Sequence, residues 1–124
     1  MKDPKTLEVS KRIRVFVHKC YEVTNKFPSL EKFELSSQLR RASSSIYLNL
    51  SEGNPSIYKK TYIKHLDSSI CSGHEVRAIF DLILDLEYIT LEEHEQLENE
   101  MKEIQYILTA IINKARREVV SGIV

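Results

Sequence analysis

Residues 36–53 read SSQLRRASSSIYLNLSEG, and with the preceding leucine they contain two complete helical faces. The apolar residues recur at steps of three or four, which places them on one side of a 3.6-residue helix. They are Leu35, Leu39, Ala42, Ile46 and Leu50. A polar stripe of the same spacing flanks them and consists of Gln38, Arg41, Ser45, Asn49 and Glu52. The stretch predicts a helix whose apolar face lies in a core and whose polar stripe lies where two helices or two subunits meet.

Turn and capping signals divide the rest of the chain into three further helices. The signals are the pair Phe27-Pro28, the stop Gly53-Asn54-Pro55, and the capping residues Asp3, Ser56 and Thr90, the last with Glu93 as a capping box. Gly53 is predicted to end the second helix in the left-handed conformation that glycine adopts at little cost. The predicted helices cover about residues 4–26, 30–52, 57–88 and 91–118.

The apolar spacing also predicts which residues form the core. The last helix has a heptad seam of Leu97, Met101, Ile104, Leu108, Ile111 and Ala115. Leu7 and Leu86 are assigned to the core faces of the first and third helices, and Cys20 and Cys71 are predicted to be buried free thiols. Gly73 predicts a close helix crossing. Four such segments with short connections predict an all-α, antiparallel up-down-up-down four-helix bundle, forming one domain over residues 1–124.

Charge is divided unevenly along the chain although the formal net charge is zero. Residues 1–65 carry 13 Lys and Arg against 6 acidic residues, and residues 66–124 carry 5 against 12. Two interpretations stay open: a basic and an acidic surface that dock subunits head to tail or bind a polyanion, or local pairing on a solvated surface. The sequence has no apolar signal core and no run of eighteen apolar residues, so we expect a cytoplasmic protein without a membrane partner.

No arrangement of residues in the sequence predicts catalysis or a cofactor. A di-iron bundle site needs Glu-x-x-His, and the residues three before the four histidines are Val15, Tyr62, Cys71 and Leu91. The Cys71 and His74 pair would need two further ligands to hold zinc. Neither a glycine-rich phosphate loop nor a GxSxG elbow occurs. We therefore expect a protein that is not an enzyme and has no metal or cofactor.

Basic residues interleaved with tyrosines make RNA a candidate ligand of helices 1–3. The candidate contacts are Arg12, Arg14, Arg40, Arg41, Tyr58, Lys59, Lys60 and Lys64. The isoelectric point near 6.9 is well below that of a typical nucleic-acid-binding domain. A protein-protein interaction scaffold or adaptor with no nucleic-acid role is the alternative. Salt separates the two, because binding to phosphates through Lys and Arg weakens steeply as salt rises.

A longer part of the sequence resembles a known family. QLRRASSSIYLNLSEG, preceded by FPSLEKFEL and followed by KTYIKHL, is similar to small four-helix-bundle proteins encoded in intervening sequences of bacterial 23S ribosomal RNA. These resemble in turn the accessory bundle protein of diversity-generating retroelements. The resemblance spans about residues 7–117 and implies a homo-oligomer, a ring of five, without a catalytic motif.

The same resemblance also implies binding partners, and it implies which positions have structural roles. It implies association with ribosomal or other RNA, or with an enzyme that acts on nucleic acid. It also implies structural roles for four matching positions, which are Gln38, Asn49, Glu52 and Gly53. For Glu52 we expect an ion pair with Arg40, Arg41 or a neighbouring subunit.

Overall fold

A computed structural model describes residues 4–54 and 56–122, and within these ranges the chain contains helices and no strand. The α-helices are α1 (Pro4–Thr24), α2 (Leu35–Gly53), α3 (Lys59–Asp85) and α4 (Leu91–Val120), and a 3₁₀ turn covers Ser29–Glu31. The all-α prediction is confirmed. The predicted cap at Asp3 and the predicted stop at Pro55 lie outside the described residues. No helix in the described ranges is long and apolar enough to cross a bilayer.

Each helix packs against two neighbours, in the pairs α1–α2, α2–α3, α3–α4 and α1–α4. Within the described ranges the backbones of the diagonal pairs, α1–α3 and α2–α4, do not come close to each other. In every pair the contacts run antiparallel, because partner numbers fall on one helix as they rise on the other. Examples are Tyr21–Ser44 with Thr24–Arg40, Ser69–Ile46 with His65–Glu52, Arg77–Glu98 with Lys59–Glu118, and Arg12–Glu103 with Lys26–Glu93. The arrangement is the up-down-up-down bundle that the four amphipathic segments predict.

The core follows the predicted apolar faces closely. All six residues of the heptad seam on α4 are buried, as are Leu39, Ala42, Ile46 and Leu50 of α2. The centre is filled across the α1–α3 diagonal by Phe16 and Phe80, whose rings meet edge to face with centroids 6.1 Å apart. Gly73 is buried, and a Cβ there would lie 2.9 Å from Met101 Cε, so the predicted close crossing lies between α3 and α4.

Three apolar residues assigned to the core are exposed instead, namely Leu7, Leu86 and Cys71. The buried residues of α3 step through Leu66, Ser69, Gly73 and Val76, so Cys71 falls on the outer side of the helix. Leu7 follows buried Thr6 by one residue, a rotation of about 100° away from the core. Cys20 is buried as predicted, and burial raises the pKa of its thiol to about 12.

Several helix boundaries differ from the predicted ones, among them the end of α3, which is Asp85 and not residue 88. Helix α1 ends at Thr24, where the chain turns through i to i+3 bonds such as Phe27 N–H to the Thr24 carbonyl at 3.1 Å. Ser29–Glu31 form a separate 3₁₀ turn and residues 32–34 a further turn, so α2 begins at Leu35. Tyr58, not Ser56, is the N-cap of α3, and the Ser56 hydroxyl accepts a bond from the Tyr58 N–H at 3.1 Å. The capping box of Thr90 and Glu93 is present as predicted.

Gly53 does not adopt the left-handed conformation predicted for it. It is the last residue of α2, and right-handed Asn54 is the C-cap. A Cβ on Gly53 would lie 2.4 Å from the Cβ of His65 on α3. The position needs glycine because two helices approach closely there, and not because of a turn.

The left-handed cap lies instead after α3, at Glu87 with φ 62°. The N–H of Tyr88 bonds to the Ile83 carbonyl and that of Glu87 to the Leu84 carbonyl, both at 2.9 Å. This is the Schellman pattern, in which glycine is the usual residue at the left-handed position. The sequence did not reveal this cap because a glutamate occupies the position.

Replacing Glu87 with glycine is expected to stabilise the protein by about 1 kcal/mol, because glycine adopts positive φ without the steric cost of a Cβ. Urea unfolding followed by circular dichroism measures the change. Glu87→Ala is the control, since it also removes the negative charge at the end of a helix but keeps the Cβ. An equal gain in both variants would attribute the effect to charge and contradict the conformational explanation.

Candidate nucleic-acid interface

Three cations from α1 and the turn that follows it face acidic residues of α4 at the seam between the two helices. Arg12 pairs with Glu103, Lys19 with Glu100 at 2.9 Å, and Lys26 with Glu93. Arg12 and Lys19 are seven residues apart and share one face of α1, and Lys26 lies in the turn that follows this helix. The hydrogen bond from Lys26, with a further one from the Thr90 backbone, holds the pKa of Glu93 below its usual range.

This seam decides between the two interpretations of the divided charge for α1. The basic and acidic halves of the sequence pair locally here, inside one chain, as the second interpretation expects. Surface pairs of this kind contribute only about 0–1 kcal/mol each to stability. Their larger effect is to neutralise charge on this side of the bundle that a polyanion would otherwise meet, and Arg12 is one of the cations so paired.

The predicted contacts on α2, Arg40 and Arg41, line an open groove between α1 and α2. The Arg40 guanidinium stacks 5.0 Å from the Tyr21 ring centroid and donates from Nε to the Thr24 hydroxyl at 2.9 Å. Arg41 is exposed beside it in an open groove of about 520 Å³. Arg14 is exposed on the outside of α1, and neither it nor Arg41 has an ion pair among residues 4–54 and 56–122.

The remaining predicted contacts gather at one end of the bundle. Lys59 pairs with Glu118 at 3.3 Å and lies 5.7 Å from the Tyr62 ring centroid, while Tyr58, Lys60 and Lys64 are exposed. The pair between Lys59 and Glu118 brings the first turn of α3 against the last turns of α4. The exposed Arg116 and Arg117 of α4 therefore belong to the same end.

We call residues 52–54, 56–64 and 114–120 the basic end, which holds six basic residues and two acidic ones. In the part of the chain that the structure describes, Lys60, Lys64, Arg116 and Arg117 form no ion pair. The contribution of α4 was missed from the sequence because Arg116 and Arg117 are about fifty residues from Lys60 and Lys64. Its signal is visible nonetheless: Lys114, Arg116 and Arg117 form the one cationic cluster in the acidic half.

The opposite end of the bundle is acidic. We call residues 25–34 and 81–95 the acidic end, which holds eight acidic residues and two basic ones. The Tyr88 hydroxyl donates to the carboxylate of buried Glu31 at 2.6 Å, and this bond raises the pKa of Tyr88. The Phe27 and Tyr88 rings also lie 5.3 Å apart. The segment between α1 and α2 and the segment between α3 and α4 therefore contact each other and form one surface.

The charges of α3 oppose the dipole of that helix at both ends. Its first turn contains Lys59 and Lys60 and no acid, and its last turn contains Asp85 and no base. A helix favours acids at its N-terminus and bases at its C-terminus by about 0.3–1 kcal/mol each. The sequence therefore keeps these charges at a local cost in stability, which the pair of Lys59 with Glu118 offsets in part.

The four motif positions lie on α2, and three of them lie at its seam with α3. Asn49 donates to the Ser45 carbonyl at 3.0 Å, and Gly53 lies against His65. Glu52 lies 3.9 Å from His65 Nδ1, so within the chain its partner is on α3 and not Arg40 or Arg41 as predicted. Arg40 donates instead to the Thr24 hydroxyl and the Asn25 side-chain oxygen, and Arg41 forms no ion pair within residues 4–54 and 56–122. Gln38 is exposed.

Metal-binding side chains do not come together in the described ranges, where no group of three or more His, Cys, Asp or Glu could hold an ion. The expectation of no metal, cofactor or catalysis stays a prediction.

The fold and the two charged ends define a polarised four-helix-bundle protein. The chain belongs to the family of 23S rRNA-intervening sequence proteins, whose family model matches residues 5–110. It is similar to a protein of unknown function from the S23 ribosomal protein family of Bacteroides thetaiotaomicron VPI-5482, whose crystal structure superposes with a TM-score of 0.82. The two chains are 25% identical over 88% of this chain and 98% of the other. No individually curated protein matches the chain.

Proposed function

We propose that this protein is a non-enzymatic, homo-oligomeric bundle that associates with RNA through its basic end. The observation that carries the proposal is the cluster of exposed Lys60, Lys64, Arg116 and Arg117, which have no acidic partner in the described ranges. Exposed Tyr58 adds a ring on which an unpaired base can stack. The family name links its members to intervening sequences of 23S rRNA, which favours ribosomal RNA as the ligand.

Reversing two charges at the basic end is expected to lower RNA affinity about tenfold or more and to reduce the slope of affinity against salt by about two phosphate contacts. The variant is Lys60→Glu with Lys64→Glu, measured by fluorescence anisotropy with a single-stranded ribosomal RNA fragment over a salt series. It is expected to fold at least as stably as the parent, because an acid near the start of α3 suits the helix dipole.

The matched control changes the same net charge elsewhere, as Lys32→Glu with Lys102→Glu. Both lysines are exposed and lie outside the basic end. The control is expected to keep most of the RNA affinity. Equal losses in the two double variants would mean that RNA responds only to net charge, and no loss in either would overturn the assignment to the basic end.

The oligomer is part of the proposal and follows from the family resemblance, which implies five subunits. Exposed large apolar side chains support further assembly where they lie near one another, as Leu30 and Phe33 do at the acidic end and Ile57 and Tyr58 at the basic end. Other exposed large apolar side chains are Leu7, Leu48, Tyr106 and Val120. Light scattering at high salt gives the subunit number directly, and a monomer would contradict this part of the proposal.

The same apolar side chains favour a second candidate function, a protein scaffold with no nucleic-acid role. A docking contact dominated by apolar surface is maintained or strengthened at high salt, whereas RNA binding through Lys and Arg is lost. Absence of salt-sensitive RNA binding in a protein that still assembles would support the scaffold.

A further inference from the structure

The acidic end carries exposed apolar side chains as well as charge. Leu30 and Phe33 are 74% and 83% exposed, and Leu86 and Leu91 are also exposed. The hydrogen bond between Tyr88 and Glu31 joins the segment between α1 and α2 to the segment between α3 and α4, and these segments carry or adjoin the exposed apolar side chains. These groups therefore sit on a fixed surface, rimmed by acids such as Glu34, Asp85, Glu87 and Glu92.

The basic end has a matching composition of opposite sign. Ile57 and Tyr58 are 86% and 68% exposed, and Val120 of α4 is exposed nearby. The rim consists of the unpaired cations Lys60, Lys64, Arg116 and Arg117. Each end thus presents apolar groups among charges mostly of one sign, and the majority signs of the two ends are opposite. The cation nearest these groups at the acidic end is Lys32, 5.5 Å from the Phe33 ring centroid.

We propose that the acidic end of one copy docks on the basic end of a second copy. Leu30 and Phe33 of one chain cover Ile57 and Tyr58 of the other, and the two charged rims face each other. The charges of α3 explain why the occupant is a second copy. Lys60 and Asp85 each oppose the dipole of their own helix, and end-to-end docking places each beside opposite charge on the next chain.

The contact is heterologous, since two different surfaces of the chain meet, and it therefore extends from copy to copy. The end of a bundle of four helices packed 8–10 Å apart offers roughly 400 Å² per copy, well below the area buried per partner in a standard stable interface. The association is consequently weak, reversible and sensitive to salt. RNA and a second copy use the same basic end, so RNA separates the copies. That competition rests on the RNA function proposed above, whereas the contact itself does not.

The test uses two variants that each disable one end. Phe33→Glu places a charge in the acidic end at a highly exposed position, and Lys60→Glu with Lys64→Glu reverses the basic end. Sedimentation velocity at low salt compares each protein with the species that it forms at high salt. The unmodified protein is expected to gain mass as its concentration rises, and each variant alone is expected to stay at its high-salt mass.

An equimolar mixture of the two variants is expected to associate, because each supplies the intact end that the other lacks. A mixture that stays unassociated, or an unmodified protein that gains no mass at low salt, overturns the proposal. Self-association of either variant alone also overturns it, since the contact would then be isologous. Phe33→Glu is expected to keep full RNA affinity, so a loss of RNA binding and a loss of end-to-end contact are separately visible.

Discussion

Alanine at Gly53 is expected to destabilise the protein by about 3 kcal/mol, the upper part of the range for an overpacked site. The added Cβ would lie 2.4 Å from His65 Cβ, which is fixed to the α3 backbone and cannot rotate away. The two helices must therefore move apart at the α2–α3 seam. Urea denaturation monitored at the helical circular dichroism signal gives the change in unfolding free energy.

Gly73→Ala is the matched control for this prediction. The Cβ there would meet Met101 Cε at 2.9 Å and Gln105 Nε2 at 3.0 Å, both at the far ends of flexible side chains. The gain in helix propensity, about 1 kcal/mol, offsets part of that crowding. We expect Gly73→Ala to stay within about 1 kcal/mol of the parent.

A double-mutant cycle separates close approach from a turn requirement at Gly53. His65→Gly removes the opposing Cβ, so combining it with Gly53→Ala is expected to recover more than about 1 kcal/mol relative to additive losses. Additive effects would show that the cost at Gly53 does not come from His65.

Truncating Phe80 to alanine is expected to cost about 4 kcal/mol, because the ring is fully buried and no backbone closes on the space it leaves. Phe80 and Phe16 span the diagonal between α1 and α3, which make no backbone approach in the described ranges. A domain of this size is stable by only about 5–15 kcal/mol, so the variant retains little margin.

Phe80→Leu provides the control, since it keeps most of the apolar volume and is expected to lose less than half as much. The cycle of Phe16→Ala and Phe80→Ala is expected to show coupling of about 1 kcal/mol beyond cavity effects, as edge-to-face rings do. A loss below about 1 kcal/mol for Phe80→Ala would mean that the centre of the bundle repacks freely, contrary to a filled diagonal.

The division of the sequence into a basic and an acidic half has two different outcomes in the folded chain. The order of charges along the sequence suggests that the basic and acidic halves form two opposed faces of the bundle. They do not. Antiparallel packing places cations of α1 and of the turn that follows it beside the acids of α4, where they pair. At the basic end, Lys60, Lys64, Arg116 and Arg117 come together because the start of α3 meets the last turns of α4.

The RNA contacts predicted from the sequence are divided accordingly. Arg12 and Lys59 have acidic partners, Arg40 is held by Tyr21 and Thr24, and Lys60 and Lys64 remain available. Sequence spacing makes each of these residues an equally good candidate for an RNA contact, because each is a cation that lies outside the apolar face of its helix. Their difference arises from neighbours that are distant in the chain.

The sequence by itself determined the helical class, the apolar seam of α4, the buried face of α2 and the capping box at Thr90, since each depends on residues within one or two turns of a helix. Only the tertiary structure decided why position 53 is glycine, where the left-handed cap lies, which thiol is buried and which cations stay unpaired. The first three depend on the backbone path and on how far each helix turns against its neighbours. The last depends on which helices lie side by side, and local spacing contains no information about that.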